Sequence, residues 1–195
     1  DLVEVYRVKE LDKITQVFGV IGDPIAQSLS PYMHNPSFAD RGVNAVFLSL
    51  LVKDLDEFMR RMVKPETREV ELHFGGFSVT MPHKQAIIPH LDAIDPTAKA
   101  IGAVNTVVVR DNRLIGHNTD ATGFARAVTE LVTSSPHGAV AVIGAGGVGK
   151  AIAFALAGLG VSELRIFDSD HEKAAALTTR LDGQITARIA DSVEE

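Results

Sequence analysis

The stretch AVAVIGAGGVGKA, residues 139–151, decides the fold class. An apolar run with β character, Ala139 to Gly144, opens onto glycines at 144, 146 and 149. An apolar helix-like run then extends to Leu159. This is the G-x-G-x-x-G spacing in the strand–turn–helix setting that opens a βαβ unit. In such a turn the first glycine permits a tight bend, the second lets a pyrophosphate approach the backbone, and the third lets helix and strand pack closely. Gly144, Ala145, Gly146, Gly147, Val148 and Gly149 are therefore candidate cofactor-binding residues. The competing reading is a glycine-rich turn used for packing alone. Asp168 stands 19 residues after Gly149, at the end of the next apolar run ELRIF. A carboxylate there suits the free ribose hydroxyls of NAD and repels the extra phosphate of NADP, so the expected cofactor is NAD or NADP, with NAD favoured.

Downstream, His171 to Leu181 reads as a helix and ITARI as a third strand, which completes one βαβαβ half. A full nucleotide-binding sheet has two such halves, so residues 139–195 are expected to form an incomplete Rossmann domain. Upstream, a helix from Ala121 to about Val132 and the segment TSSPHG read as a connection over 121–138. Residues 17–120 form an earlier α/β series. Strands are expected at VFGVI, AVFLSL, FSVT, AVNTVVV and RLIG, the last two joined by a turn at Asp111-Asn112. A helix starts at Ser30-Pro31, another carries the stripe Leu55, Phe58, Met59 and Met62, a third runs from Lys84 toward His90, and a fourth from about Asp95. Residues 1–16 read as an arm or linker. The fold class is thus α/β, an N-terminal domain with a mostly parallel sheet plus a partial Rossmann domain.

The chain has 195 residues, 46% of them hydrophobic, enough for one large or two small cores. Nineteen Lys and Arg stand against 25 Asp and Glu, a net charge of −6 with no basic run, which argues against a nucleic-acid partner. Cysteine is absent, which removes disulfides and thiolate zinc sites. The longest apolar stretch, Ala151 to Val161, is well short of the ~18 residues of a bilayer span. The seven histidines show no HExxH or other tight ligand spacing, so no metal is expected, and they are read as surface or supporting groups. These features fit a cytoplasmic protein acting on a small molecule.

Three polar clusters in the first series invite chemistry. In SLSP, Ser30 before Pro31 reads first as an ordinary N-cap; Ser28 is not needed for that, and two hydroxyls beside the exposed N–H groups of a helix start would make a carboxylate pocket. In FSVTMPHK, a strand and a proline turn deliver Lys84 to a helix start, where positive charge is disfavoured. Lys84 is either a solvated lysine or an amine kept there to exchange protons. Asp120 in HNTD is either its partner or the N-cap of the following helix.

Taken in order, GDPIAQSLSPYMHN, FSVTMPHK, GAVNTVV, GHNTDATGF and IGAGGVGKA resemble the shikimate dehydrogenase family from Val17 onward. The resemblance implies an N-terminal domain that binds a hydroxy acid, a Rossmann domain for the nicotinamide cofactor, and interconversion of 3-dehydroshikimate and shikimate in the cleft between them. It implies that Ser28 and Ser30 hold the substrate carboxylate, that Ser78, Thr80, Asn105 and Asp120 hydrogen-bond ring hydroxyls, and that Lys84 with Asp120 is the catalytic pair. Ser78 stands where many members have Asn, Gln27 replaces a usual His, and FDSD (167–170) replaces the NRT-like turn of NADP-dependent members. The family's C-terminal portion, including a substrate-contacting glutamine, has no counterpart, so the chain is expected to be truncated. The arm YRVKELDKITQVFGVIGDP resembles the junction after a dehydroquinate dehydratase domain in bifunctional enzymes, which implies a possible fused domain upstream. Ser30 favours shikimate over quinate, since quinate-preferring members tend to have Thr there. A non-catalytic shikimate- or quinate-binding regulator is the remaining alternative.

Overall fold

A computed structural model describes residues 3–131 and 138–192. It divides into two compact units, Asp1–Asp95 with Val104–His117, and Pro96–Ala103 with Asn118–Glu195. The expected boundary at TSSPHG, and the end of the preceding helix at Val132, lie outside the described residues except for Gly138.

In the first unit, β1 (Gln16–Gly22) reads QVFGVIG, and Val17, Val20 and Ile21 are buried. Such a run fits a strand covered on both faces. It lies between β2 (Ala45–Leu51) and β3 (Phe74–Val79), parallel to both. β5 (Thr106–Arg110) is antiparallel to β3 and to β6 (Arg113–His117). A two-residue strand missing from the sequence reading, β4 (Ala93–Ile94), pairs parallel with β6. The sheet order is β2-β1-β3-β5-β6-β4. The hairpin turn at Asp111-Asn112 has φ of 52° and 58°, the left-handed pair that matches strand twist in a two-residue turn.

Helix α1 (Ser30–Asp40) is fastened to the edge strand β2 by buried Asn35. Its Nδ2 donates to the Phe47 carbonyl at 3.0 Å, and its Oδ1 accepts from the Phe47 amide at 2.7 Å. The stripe from Leu55 forms α2 (Leu55–Phe58) and then a π-turn (Met59–Val63), which buries Leu55, Met59 and Val63. The helix expected from Lys84 to His90 is two pieces, α3 (His83–Ala86) and a 3-10 turn (Ile88–His90), because Pro89 cannot donate a backbone hydrogen bond to a continuous helix.

The fourth helix, α4 (Pro96–Ile101), was expected with the first series and belongs to the second unit. Ile101 and Ala103 bury against Ala121 of α5 (Asp120–Leu131) and Ala151 and Ala155 of α6 (Gly147–Gly158). The Arg180 guanidinium adds a 3.0 Å bond to the Ala100 carbonyl near the end of α4. The nucleotide-type half is β7 (Ala139–Ile143), α6, β8 (Glu163–Phe167), α7 (His171–Arg180) and β9 (Thr186–Ile189). Its three strands are parallel in the order β7-β8-β9. Leu156, Leu164, Ile166, Leu177 and Leu181 form its core, each removing apolar surface worth about 1.5–3 kcal/mol from water.

Candidate functional site

Within the first unit, β1 and β3 are parallel, so their C-terminal ends lie side by side, the usual ligand-binding end of an α/β sheet. There the loop Asp23–Leu29 and the turn Thr80–Pro82 are laced together. The Thr80 amide donates to the Ile21 carbonyl at 2.9 Å and the Asp23 amide to the Met81 carbonyl at 3.0 Å. Gly22 is required between them: a Cβ there would stand 2.4 Å from the Thr80 methyl and 2.9 Å from the Met81 carbonyl. β5 runs antiparallel, so Asn105, just before it, arrives at the same end, and its carbonyl accepts from the Val79 amide at 2.7 Å.

Ser28, Ser30, Ser78, Thr80, Lys84 and Asn105 are thus carried to this end of one sheet by the ends of its strands, the loop before α1, the first turn of α1 and α3. All six are half-buried. Ser78 pairs in register with Val20 on one side and Thr106 on the other, so it is seated in the middle of the sheet. The Thr106 hydroxyl donates to Asn105 Oδ1 at 2.9 Å and orients that amide.

The capping readings need correction. α1 opens at Ser30 itself, with Leu29 in the cap position and no side-chain cap bond. Instead, Ser28 Oγ accepts from the Ser30 amide at 3.3 Å, so the serine not needed for capping is the one near the helix start that meets an N–H. Asp120 is likewise the first residue of α5, not its cap. Buried Asn118 takes that role, its Oδ1 accepting from the Ala121 amide at 3.3 Å while its Nδ2 donates to the Ala103 carbonyl at 2.9 Å. Asp120 lies in the second unit, half-buried, together with the nucleotide motif.

In that motif Gly144 has φ +98°, which excludes most side chains. Gly149 is indispensable, since a Cβ would stand 1.8 Å from the Gly144 carbonyl. A Cβ on Gly146 would meet nothing within 4 Å, leaving open space before the first amides of α6, where a pyrophosphate is favoured. These residues fit a dinucleotide. Asp168 is engaged by the backbone around it: one carboxylate oxygen accepts from the Ala145 amide at 2.7 Å and the other from the Asp170 amide at 2.8 Å. Those amides, that of Ala145 first, hold its pKa below the ordinary 3.8, so it is ionised at neutral pH. Lys173 Nζ lies 3.0 Å from Asp170 Oδ2.

Sequence reasoning treated the histidines as surface or supporting groups, and His83 departs from a surface role. It is 5% exposed, with Nε2 at 2.7 Å from the Val52 carbonyl. His90 and His117 pair with Asp56 and Asp95. Among the described residues no group of three or more His, Asp or Glu side chains is placed to hold a metal ion, and no helix is long and apolar enough to cross a membrane.

Residues 20–107 match the family described as "Shikimate dehydrogenase substrate binding domain". The chain is 43% identical over 184 residues to a shikimate dehydrogenase (NADP(+)) of Bacillus cereus (strain AH187), covering 92% of this chain and 63% of that protein. It thus spans less than two thirds of that curated relative. Among solved structures it resembles shikimate dehydrogenase from Aquifex aeolicus, with a TM-score of 0.80, 33% identity and coverage of 94% of this chain and 65% of the other. It also resembles shikimate 5-dehydrogenase from Listeria monocytogenes in complex with shikimate and NAD, with a TM-score of 0.76, 33% identity, and coverage of 92% and 62%. With its glycine-rich turn, its hydroxyl-lined sheet end and these matches along most of its length, the chain belongs to the shikimate dehydrogenase family.

Proposed function

We propose that this chain carries the substrate- and nucleotide-binding parts of an enzyme that reversibly reduces 3-dehydroshikimate to shikimate with a nicotinamide cofactor. The observation that carries the reading is the convergence of five hydroxyl or amide side chains and one amine, Lys84, at a single sheet end of the first unit. A polyhydroxylated ring acid needs that chemistry: Ser28 and Ser30 take its carboxylate, while Ser78, Thr80, Asn105 and Asp120 take its ring hydroxyls.

The residues Gly144 to Gly149 would hold the pyrophosphate of the cofactor at the start of α6, and Asp168 its adenosine ribose. A nicotinamide cofactor held there would supply hydride chemistry for the carbonyl carbon. The protein supplies the rest. Lys84, with Asp120, delivers the proton to the carbonyl oxygen as it becomes a hydroxyl, and takes it back in the reverse direction. Orientation of the ring by the six polar side chains contributes much of the rate.

We further read the cofactor as NAD in preference to NADP, supported by the ionised Asp168 carboxylate at the ribose position. The Bacillus cereus relative is named for NADP(+), so direct measurement decides between them. The test is a spectrophotometric assay of the full-length protein with shikimate or quinate, each with NAD or NADP. Turnover of shikimate is the expected result. Turnover of quinate alone would reassign the substrate, and binding of either acid without turnover would make the protein a ligand sensor.

A further inference from the structure

Helix α3 is four residues long, too short to hold its own direction. Lys84 sits in that turn, so whatever fixes the turn aims the amine. Several bonds tie the turn to its surroundings, among them the His83 amide donating to the Thr80 carbonyl at 2.9 Å and the two that follow. The Lys84 carbonyl accepts from the Val104 amide at 2.7 Å. On the other side His83, 5% exposed, places Nε2 at 2.7 Å from the carbonyl of buried Val52. A carbonyl only accepts, so Nε2 carries the proton. The Val52 amide in turn donates to the Gly22 carbonyl at 3.1 Å, which continues the chain of bonds to the loop that carries Ser28.

We propose that His83 is a positioning residue for Lys84: through the Val52 carbonyl it locks the amine-bearing turn to the ends of β2 and β1, and so keeps the amine in register with the serine loop. The proposal rests on the reading of Lys84 as the proton-exchanging group. It assigns His83 no contact with substrate. A lone histidine next to a lysine looks like surface in the sequence, whereas here it closes a buried bond between the α3 turn and the residue after β2.

The test compares His83→Gln, whose Nε2 reaches about as far from the backbone as that of histidine, with His83→Asn, which falls short by one methylene, and His83→Phe, which fills the space without a donor. In the full-length protein, kcat for shikimate should fall at least about tenfold in the Asn and Phe variants, with KM within about threefold, and the Gln variant should recover most of the loss. A second readout needs no turnover: acetylation of Lys84 by a water-soluble amine reagent, followed by peptide mass spectrometry. Lys84 should react at least about threefold faster in the Asn and Phe variants while Lys53 and Lys64 react as before. If wild-type protein does not turn over shikimate, the functional reading fails and the acetylation rates alone decide the positioning role. Equal kcat per folded molecule in the Gln and Asn variants, or unchanged Lys84 acetylation in both donor-deficient variants, would overturn the proposal, even if melting temperatures fall.

Discussion

The Asp168 carboxylate accepts a 2.7 Å hydrogen bond from the Ala145 amide, tying the end of β8 to the middle of the glycine-rich turn after β7. The turn would otherwise depend on glycine backbone, which gains the most freedom on unfolding. Asp168 thus helps to shape the glycine-rich turn.

This bond predicts an acid-sensitive contribution to stability. The folded pKa of Asp168 is depressed below 3.8 by the Ala145 and Asp170 amides. A depressed carboxylate stabilises the fold above its unfolded pKa, and the contribution is lost as pH falls through the lower, folded value. The melting temperature of wild type should therefore exceed that of Asp168→Asn by a constant margin above about pH 5, and the margin should shrink below about pH 4. Thermal unfolding of both proteins across that range checks this. A margin that grows on acidification would contradict the assignment.

Apart from the two-residue β4, the strands were legible in the sequence because apolar runs, the turn at Asp111-Asn112 and the glycine spacing are local signals. Pro89 was also visible, and its break in the expected Lys84–His90 helix follows from backbone chemistry alone. Other features depend on tertiary partners. Nothing in PTAKAIGA says that Ile101 buries against α5 and α6 instead of under the first sheet. Asn35 and His83 are isolated polar residues until Phe47 and Val52 are brought beside them. The spacing placed Asp168 at the end of the next strand, but did not reveal its engagement by Ala145.

Replacing Lys84 by alanine should remove the proton-exchanging group while sparing the fold. The backbone bond from Val104 to the Lys84 carbonyl survives the substitution. The expected loss in kcat is about 10²-fold or more, the usual scale for a general acid or base, with the melting temperature and cofactor affinity nearly unchanged. Steady-state kinetics decide it, and a variant within a few-fold of wild type would remove Lys84 from the mechanism.

Ser28→Ala separates substrate binding from capping. Its hydroxyl meets the Ser30 amide at 3.3 Å, a long bond whose loss costs little. A carboxylate bound by this hydroxyl is held alike in ground and transition states, so KM for shikimate should rise about tenfold with kcat within about threefold. An unchanged KM together with a lower melting temperature would leave Ser28 a structural residue.

On the proposed reading, the choice between NAD and NADP turns on the Asp168 carboxylate. Each Asp168 oxygen spends one lone pair on a backbone amide and keeps another, so ribose hydroxyls can still be accepted. NADP would bring a phosphate of nearly two negative charges beside an ionised group, with Asp170 close by. Lys173 is held by Asp170 at 3.0 Å and offsets the repulsion only in part. Like charges a few Å apart at a partly hydrated site cost on the order of 1–4 kcal/mol, or roughly tenfold to several-hundred-fold in preference. The expected result is a higher kcat/KM with NAD at saturating shikimate, and a narrower gap in Asp168→Asn because the charge is gone. A value for NADP equal to or above that for NAD in wild type would mean that Asp168 serves the turn and not the ribose.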